Sequence, residues 1–223
     1  MGIDMKKQDF LLANEAVANV HIPRWNELPE FELYMDQVIG LAEKHLGALY
    51  HTDGKGLLTP SMINNYVKSG VLPPPKNKKY NRTHLAILMI ICAMKPVMEI
   101  SAISDVIGRT TSSMDIERVL DEFARMYENE LSTSMKRARI LAETSEDKEI
   151  LSFIAIENTL RAGAARIVAM QAYGVIKSES ESETKAEKPE KPEKKPQPKK
   201  KAESPSPKQK PEEVTSEKSD KIE

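Results

Sequence analysis

The strongest constraint on the fold is a helix start and a helix stop that lie close together in the first half of the chain. Thr59 is a good N-cap residue, and Pro60 suits the first helical position because the amide hydrogen that it lacks would be unpaired there. Gly70 favours the left-handed backbone that ends many helices, and the three prolines at 73–75 then exclude a helix. The sequence therefore predicts a short helix over Pro60–Lys68, followed by a stiff loop.

The predicted short helix has two different faces. Ile63, Tyr66 and Val67 follow a helical spacing and form an apolar face. The opposite face is polar and rich in amides, and consists of Ser61, Asn64, Asn65 and Lys68. One face can thus pack on a core while the other remains free for recognition.

The loop that follows is basic and leads into a second helix. It contains Lys76, Lys78 and Lys79 and ends at Tyr80. A strongly apolar helix is predicted over Thr83–Lys95. The loop is therefore held between two helices, with a β-ribbon as its possible internal structure.

Charge is unevenly distributed along the chain. Between Gly54 and Met98 there are seven basic and no acidic residues, whereas the formal net charge of the whole chain is −1. This segregation is typical of a phosphate-binding face. Asn64 and Asn65 carry the side chain that binds adenine in the major groove through two hydrogen bonds. Each feature alone also fits a solvated loop or an ordinary surface, but their combination in this order favours nucleic-acid binding.

This order of residues resembles the winged helix-turn-helix of the MerR-type bacterial regulators, in which a recognition helix with a tyrosine precedes a Gly-Leu-Leu-Pro-Pro motif and a basic wing. The matching residues are Ile63, Tyr66, Gly70, Val71, Leu72, Pro73, Pro74, Tyr80, Arg82 and Leu85. A closer resemblance, over Leu28–Val175, is to a bacterial family of domains of unknown function that carry LLTxxMINNYVKxGLLPPPxKKxYxxxHL. That family is itself similar to the MerR-type regulators.

Two departures from the MerR pattern affect the choice of site residues. The usual Tyr-Tyr-Glu is replaced by Asn65-Tyr66-Val67, and the usual Tyr-Arg of the wing by Tyr80-Asn81-Arg82. The base contacts of those regulators therefore do not transfer directly. The resemblance and the residue pattern together imply a winged helix-turn-helix domain over residues 28–108. Its expected DNA-binding residues are Thr59, Ser61, Asn64, Asn65, Lys68, Lys76, Lys78, Lys79 and Arg82.

Helical periodicity organises the chain on either side of this motif. Residues 1–27 form an N-terminal extension, with a turn or two of helix possible within Phe10–Val20. A scaffold helix is predicted over Glu30–Leu49. A short helix over Ile100–Ile107 is predicted to stop at Gly108.

The region 109–178 is predicted to be a long helical pair. Its elements are a polar hinge and two helices, over Arg109–Ser113, Met114–Ala142 and Glu146–Tyr173. Ser145 is a candidate cap for the second helix and Gly174 its stop. The pair either folds onto the winged domain or serves in dimerisation, and the small residues at 162–165 would permit close helix approach.

The C-terminal segment, residues 179–223, differs in composition from the rest. It contains 12 lysines, 12 acidic residues and 7 of the 14 prolines, with no aromatic residue. Val214 and Ile222 are its only large aliphatic residues. Because such a segment has little apolar surface to bury, it is predicted to be a disordered tail. The expected fold is thus mainly α: a MerR-like winged helix-turn-helix, a long helical pair and this tail.

The sequence offers no pattern that indicates catalysis. Phosphate-binding glycine loops, His-Glu-x-x-His and Cys-x-x-Cys motifs are absent. His45, His51 and Asp53 are close in the chain, but two histidines and one carboxylate are a weak metal signal. The single cysteine, Cys92, excludes a disulfide framework, and no apolar run has the length of a membrane span. We therefore expect a cytoplasmic protein that is not an enzyme and uses no cofactor or metal.

Two functions are compatible with these observations. The first is a DNA-binding transcriptional regulator, acting as a homodimer on double-stranded DNA, with the short helix in the major groove and the wing on phosphates. The second is a protein-interaction adaptor that retains the helix-turn-helix fold and works through the helices after Met114. The acid-free stretch favours the first. No residue identifies a small-molecule effector.

Overall fold

The computed structural model describes residues 5–50 and 56–186. They form seven α-helices, with short 3₁₀ turns at Trp25–Glu27 and Gly47–Leu49. The helices are α1 (Met5–Ala18), α2 (Met35–Leu46), α3 (Pro60–Lys68), α4 (Arg82–Met94), α5 (Ile100–Ser113), α6 (Ile116–Thr144) and α7 (Ile150–Ala186). Within the described residues there is no β-strand, only two isolated β-bridges. The prediction of a mainly α-helical protein is confirmed.

Helix α4 lies at the centre of the core. Its ten consecutive residues from His84 to Ala93 are buried, because the helix is apolar on every side. Helices α2, α5 and α6 pack around it. Burial raises the pKa of the Cys92 thiol to about 12, so the cysteine is a core residue. The helix begins and ends within one residue of its predicted bounds.

Helix α3 has the bounds that the sequence predicts. The Met62 amide donates a hydrogen bond to the Thr59 hydroxyl at 3.2 Å, so Thr59 is the N-cap. The apolar face is buried through Ile63 and Tyr66, and the helix packs on α2. After the helix, the chain turns through Gly70, and the Leu72 amide donates to the Tyr66 carbonyl at 3.1 Å. Local start and stop signals thus fix both ends of α3.

Gly70 allows a test of this turn. Its φ is +78°, in the left-handed region, and a Cβ placed there would meet no other atom. We expect Gly70→Ala to lower the free energy of unfolding by about 1 kcal/mol, from backbone strain alone. Gly40→Ala is the matched control, because Gly40 lies within α2 with equally open space. It should raise stability by about 0.5–1 kcal/mol. Urea unfolding measures both changes, and a neutral Gly70→Ala would contradict the turn.

The start of α2 differs from the prediction. The helix begins at Met35 rather than Glu30, because Leu33 is extended and pairs with Tyr80 through two backbone hydrogen bonds of 2.9 and 2.8 Å. The Tyr34 amide then donates to the Gln37 side chain at 2.9 Å. A long-range pairing therefore replaces the first predicted helical turn.

The predicted stop at Gly108 and the hinge at Arg109–Ser113 are wrong. Helix α5 continues through both and ends at Ser113. The hydroxyls of Thr110 and Thr111 donate to main-chain carbonyls one turn back, at 2.8 Å each, so they are satisfied within the helix. A glycine inside a helix costs about 1 kcal/mol, and packing of the apolar face of α5 outweighs that cost.

The last helix also differs from the prediction at both ends. It begins at Ile150, because the Ser145 hydroxyl accepts from the Asp147 amide at 3.1 Å and the Asp147 carboxylate from the Glu149 amide at 2.9 Å. These bonds hold a turn and not a first helical turn. The helix passes Gly174 and ends at Ala186, so the first residues of the predicted tail are helical. The remainder of that tail, residues 187–223, lies outside the described residues.

The N-terminal extension contains a longer helix than the sequence indicates. Helix α1 has 14 residues and packs along α6. Phe10 and Leu11 contact a small buried cluster of Ala138, Ala142 and Ile154. Asn14 is buried, and its side-chain amide donates a hydrogen bond to the Met135 main-chain carbonyl at 3.1 Å. The two long helices thus fold against the rest of the protein with α1 beside them. None of the described helices combines the length and apolar content needed to span a membrane.

Candidate nucleic-acid interface

The polar face of α3 is exposed to solvent. All five of its predicted DNA-binding residues are exposed, namely Thr59, Ser61, Asn64, Asn65 and Lys68. Because Ile63 and Tyr66 are buried on the opposite side, the helix has one fixed orientation. The two asparagines and Lys68 therefore lie on an outward surface whose direction is set by the core.

The basic loop is a tight turn, here called the basic turn (Lys76–Lys79). The Lys79 amide donates to the Lys76 carbonyl at 2.9 Å. Asn77 and Lys78 have φ of +51° and +61°, and two successive residues with positive φ are typical of the type I′ turn of a two-residue hairpin. Lys76 and Lys78 are exposed at its tip. In place of the predicted β-ribbon, the structure has this turn and the isolated β-bridge between Lys76 and Lys79.

The basic turn is attached to the domain at its C-terminal end. Tyr80 is buried and pairs with Leu33 through the two backbone hydrogen bonds described above. The Tyr80 ring meets the His84 ring edge to face, with centroids 5.5 Å apart. The Lys79 ammonium lies 5.5 Å from the centre of the Tyr34 ring. Lys79 is half-buried and engaged, so Lys76 and Lys78 are the freer charges of the turn.

Arg82 lies beneath the turn and supports the domain. Its guanidinium packs over the Trp25 ring at 5.3 Å, donates to the Leu28 carbonyl at 3.0 Å and pairs with Glu30 at 3.2 Å. Its side chain is only 19% exposed. Trp25 therefore packs on the domain. Arg82, which the sequence predicts to contact DNA, instead stabilises the domain from a mostly buried position.

A cleft of about 700 Å³ separates α3 from the basic turn. It is lined by Tyr34, Met35, Asp36, Asn64, Pro75, Lys78 and Tyr80. The structure thus brings Asn64 and Lys78 together, from segments predicted separately. The sequence does not predict Tyr34 and Asp36 as site residues. The signal available for Asp36 is its acidic side chain in the first turn of α2. Their place in the cleft depends on the Leu33–Tyr80 pairing, which no local pattern encodes.

The start of α4 is held by His84 together with Asn81. The His84 amide donates to the Asn81 side-chain oxygen at 3.2 Å, and the Asn81 amide donates to the His84 ring at 3.1 Å. Burial lowers the pKa of His84 below its usual value, against the opposing effect of the Pro74 and Pro73 carbonyls. The structure thus places His84 in the cap of α4.

No group of three potential metal ligands lies together within the described parts of the chain. His45 is described, whereas His51 and Asp53 fall in the undescribed segment 51–55. The His45 ring contacts the His21 carbonyl at 3.4 Å, and burial lowers the pKa of His45.

Comparison with known proteins identifies one domain. Residues 23–130 match the model of a family described as a domain of unknown function, DUF1836. The match runs from the Trp25 turn into α6 and includes the whole candidate interface. No curated protein and no solved structure gives a significant match. The match confirms a domain of unknown function and gives no evidence on the resemblance to MerR-type regulators.

Proposed function

We propose that this protein is a sequence-specific DNA-binding transcriptional regulator that acts as a homodimer in the cytoplasm. The observation that carries the proposal is a cleft that is lined from both sides, by Asn64 on the amide face of α3 and by Lys78 in the basic turn. An exposed, capped helix beside a rigid cationic loop suits a DNA duplex, because each can contact a different part of it. In this proposal α2, α3 and the basic turn work in the manner of a MerR-type winged helix-turn-helix.

In the proposed complex, α3 enters the major groove, which is about 12 Å wide and admits an α-helix. Asn64 and Asn65 face base edges, where their amides can bind adenine through two hydrogen bonds. Thr59, Ser61 and Lys68 lie at the margins of the same face and contact phosphates. These residues together would supply both sequence choice and register.

The basic turn contacts the phosphates that flank the groove. Lys76 and Lys78 supply the positive charge, and such contacts add affinity without sequence choice. The turn is held by the Leu33–Tyr80 bridge, and the nearby start of α4 by Arg82. Because α3 and the turn belong to one packed body, the distance between base contacts and phosphate contacts is fixed before binding.

Asp36 gives the cleft a second recognition element. Its carboxylate lines the cleft with Asn64 and Lys78 and is the only acidic group among the described residues that line it. A carboxylate repels phosphates but accepts a hydrogen bond from the amino group of cytosine. We therefore assign Asp36 to the base side of the interface, next to Asn64.

The competing function is a protein-interaction adaptor. The observation in its favour is the exposed apolar side of α7, which includes Leu160 at 69% exposure and Val168 at 65%. An adaptor would bind its partner there without using the cleft. Substitutions in α3 distinguish the two functions: they should change DNA binding by a regulator and leave partner binding by an adaptor unchanged.

Asn64→Ala tests the recognition role of α3. The variant should lose about 1–3 kcal/mol of discrimination at one base pair, a factor of roughly 5 to 150, while its affinity for unrelated duplex changes little. The measurement is competition between a selected site and single-base variants of it. Asn129→Ala, at an exposed asparagine of α6, is the matched control and should leave discrimination unchanged. Equal discrimination by the Asn64→Ala variant would remove α3 from base recognition.

A further inference from the structure

Helix α7 packs on the rest of the protein at its first turn and again beyond its middle. Ile150 and Leu151 pack on the cluster formed with α1 and α6. Further along, Met170 and Tyr173 pack on the main core, and the Tyr173 hydroxyl donates to the Asp105 carboxylate at 2.7 Å. Between these anchors, the residues from 159 to 168 are exposed on every side of the helix.

The side of α7 that faces away from the body is apolar. Six large apolar residues on this helix are between 57% and 69% exposed: Phe153, Ile156, Leu160, Ile167, Val168 and Val175. At 100° per residue they fall on one stripe, opposite the side that carries Ile154 and Tyr173. A helix that is apolar on both sides is normally covered on both. We refer to these six residues and the small residues between them as the outer stripe.

The outer stripe carries little charge, and the charged side chains of this part of α7 are engaged within the chain. From Phe153 to Ile176 the helix contains three charged residues. Glu157 and Arg161 form an ion pair at 2.6 Å, and the Arg166 guanidinium donates to the Val97 carbonyl at 3.1 Å. A partner for this surface therefore has to be apolar, with no charge of its own to neutralise.

The two large residues nearest the middle of the outer stripe are placed symmetrically. Gly163 and Ala164 stand at the centre, and a Cβ added at Gly163 would meet no atom within 4 Å. Leu160 and Ile167 lie at equal distances on either side of that centre. The pairs further out are Ile156 with Gln171, and Phe153 with Gly174. A two-fold axis through the centre would thus bring Leu160 of one copy opposite Ile167 of the other.

We propose that the outer stripe of α7 is the homodimer interface, where a second copy of this chain packs antiparallel with its helix crossing at Gly163 and Ala164. Such an isologous contact requires a self-complementary patch, and Leu160 and Ile167 form one at the centre of the stripe. The seven-residue spacing of Phe153, Leu160 and Ile167 is that of a coiled-coil seam. The stripe extends over about 33 Å at 1.5 Å per residue, enough for several turns of contact.

The tail of the same chain is a poor alternative occupant. Residues 187–223 contain only two large aliphatic residues, Val214 and Ile222, and no aromatic residue. They cannot cover six exposed apolar side chains. A second copy supplies an identical apolar face, so the chemistry matches in kind and in extent. The inference rests on the homodimer part of the proposed function and does not depend on DNA binding.

The oligomeric state of the full chain tests the interface. We expect a dimer by sedimentation equilibrium at micromolar concentration, and at least a hundredfold weaker dimerisation for Leu160→Glu. Ala162→Glu is the matched control, because Ala162 is exposed on α7 and lines the cleft beside Glu130 and Arg137 of α6, on the side opposite the outer stripe; it should remain dimeric. A monomeric wild type, a dimeric Leu160→Glu or a monomeric Ala162→Glu would each overturn the proposal. Helicity by circular dichroism confirms that the variants are folded.

Disulfide trapping tests the orientation. Oxidised Ala164→Cys should form a covalent dimer, because residue 164 lies beside the two-fold axis. Phe153→Cys should not link to itself, but should link to Val175→Cys when the two variants are mixed. A self-link at Phe153→Cys would indicate a parallel pair and overturn the antiparallel assignment. Native Cys92 is buried and does not compete. Since no readout involves DNA, failure of the interface is distinguishable from failure of DNA recognition.

Discussion

Replacing both Lys76 and Lys78 by glutamate should weaken binding to duplex DNA by roughly a hundredfold or more at about 50 mM salt. Each phosphate contact contributes about 0.9 to the slope of log affinity against log salt concentration, so two lost contacts lower the slope by about 2. The loss should be the same for specific and unrelated duplexes, because phosphate contacts carry no sequence information. Fluorescence anisotropy over a series of salt concentrations measures both quantities.

The matched control for this variant is the pair Lys136→Glu and Lys148→Glu. Both lysines are exposed, on α6 and just after it, and the change in net charge is the same. If the account is correct, the control loses much less affinity and retains its salt slope. Equal losses in the two double variants would show that binding follows net charge and not the basic turn.

Leu72→Ala should lower the free energy of unfolding by about 2–5 kcal/mol. Leu72 is fully buried in the main core, and its amide is bonded to the Tyr66 carbonyl at the end of α3. Truncation therefore removes packing and leaves a cavity beneath the segment that joins α3 to the basic turn. The melting temperature should fall by roughly 4–20 °C, since a chain of this size shifts about 2–4 °C per kcal/mol.

Leu12→Ala is the matched control for the core variant. Leu12 is 63% exposed on α1, so the same chemical change there should alter stability by no more than about 0.5 kcal/mol. Chemical denaturation of both variants gives the comparison. A Leu72→Ala protein as stable as the wild type would mean that the segment after α3 does not anchor the helix.

Local signals account for the parts of the fold that the sequence predicts well. Helix α3 has a capping threonine, a proline at its first position and a glycine just beyond its end, and its bounds are confirmed. The bounds of the apolar helix α4 are confirmed within one residue. A helix that is apolar on every side is expected to be buried whichever elements pack on it. In both cases the deciding interaction lies within a few residues of the element.

The errors arise where packing outweighs a local signal. The sequence predicts helix stops at Gly108 and Gly174, but α5 passes through the first and α7 through the second. A glycine in a helix costs only about 1 kcal/mol, which a buried apolar face exceeds. The glycines can be read from the sequence, but whether a helix ends at them depends on tertiary packing, which a local pattern does not reveal.

The candidate interface shows the same division. The exposure of Asn64 and Lys78 follows from periodicity and charge, and the sequence selects both. Asp36 enters the cleft only because Leu33 pairs with Tyr80, a contact between distant segments. The charge of Arg82 predicts a DNA contact, but Trp25 and the Leu28 carbonyl hold its guanidinium inward. Long-range contacts thus determine which of the candidate residues reach the surface.

The most direct test of DNA recognition by α3 is selection of bound duplexes from a genomic fragment library by the purified full chain. The salt concentration should be about 150 mM, where phosphate contacts alone bind weakly. We expect the bound fragments to share one motif with two inverted half-sites, as two copies of α3 require. Recovery of no motif above background would contradict sequence-specific binding and leave the adaptor function as the better account.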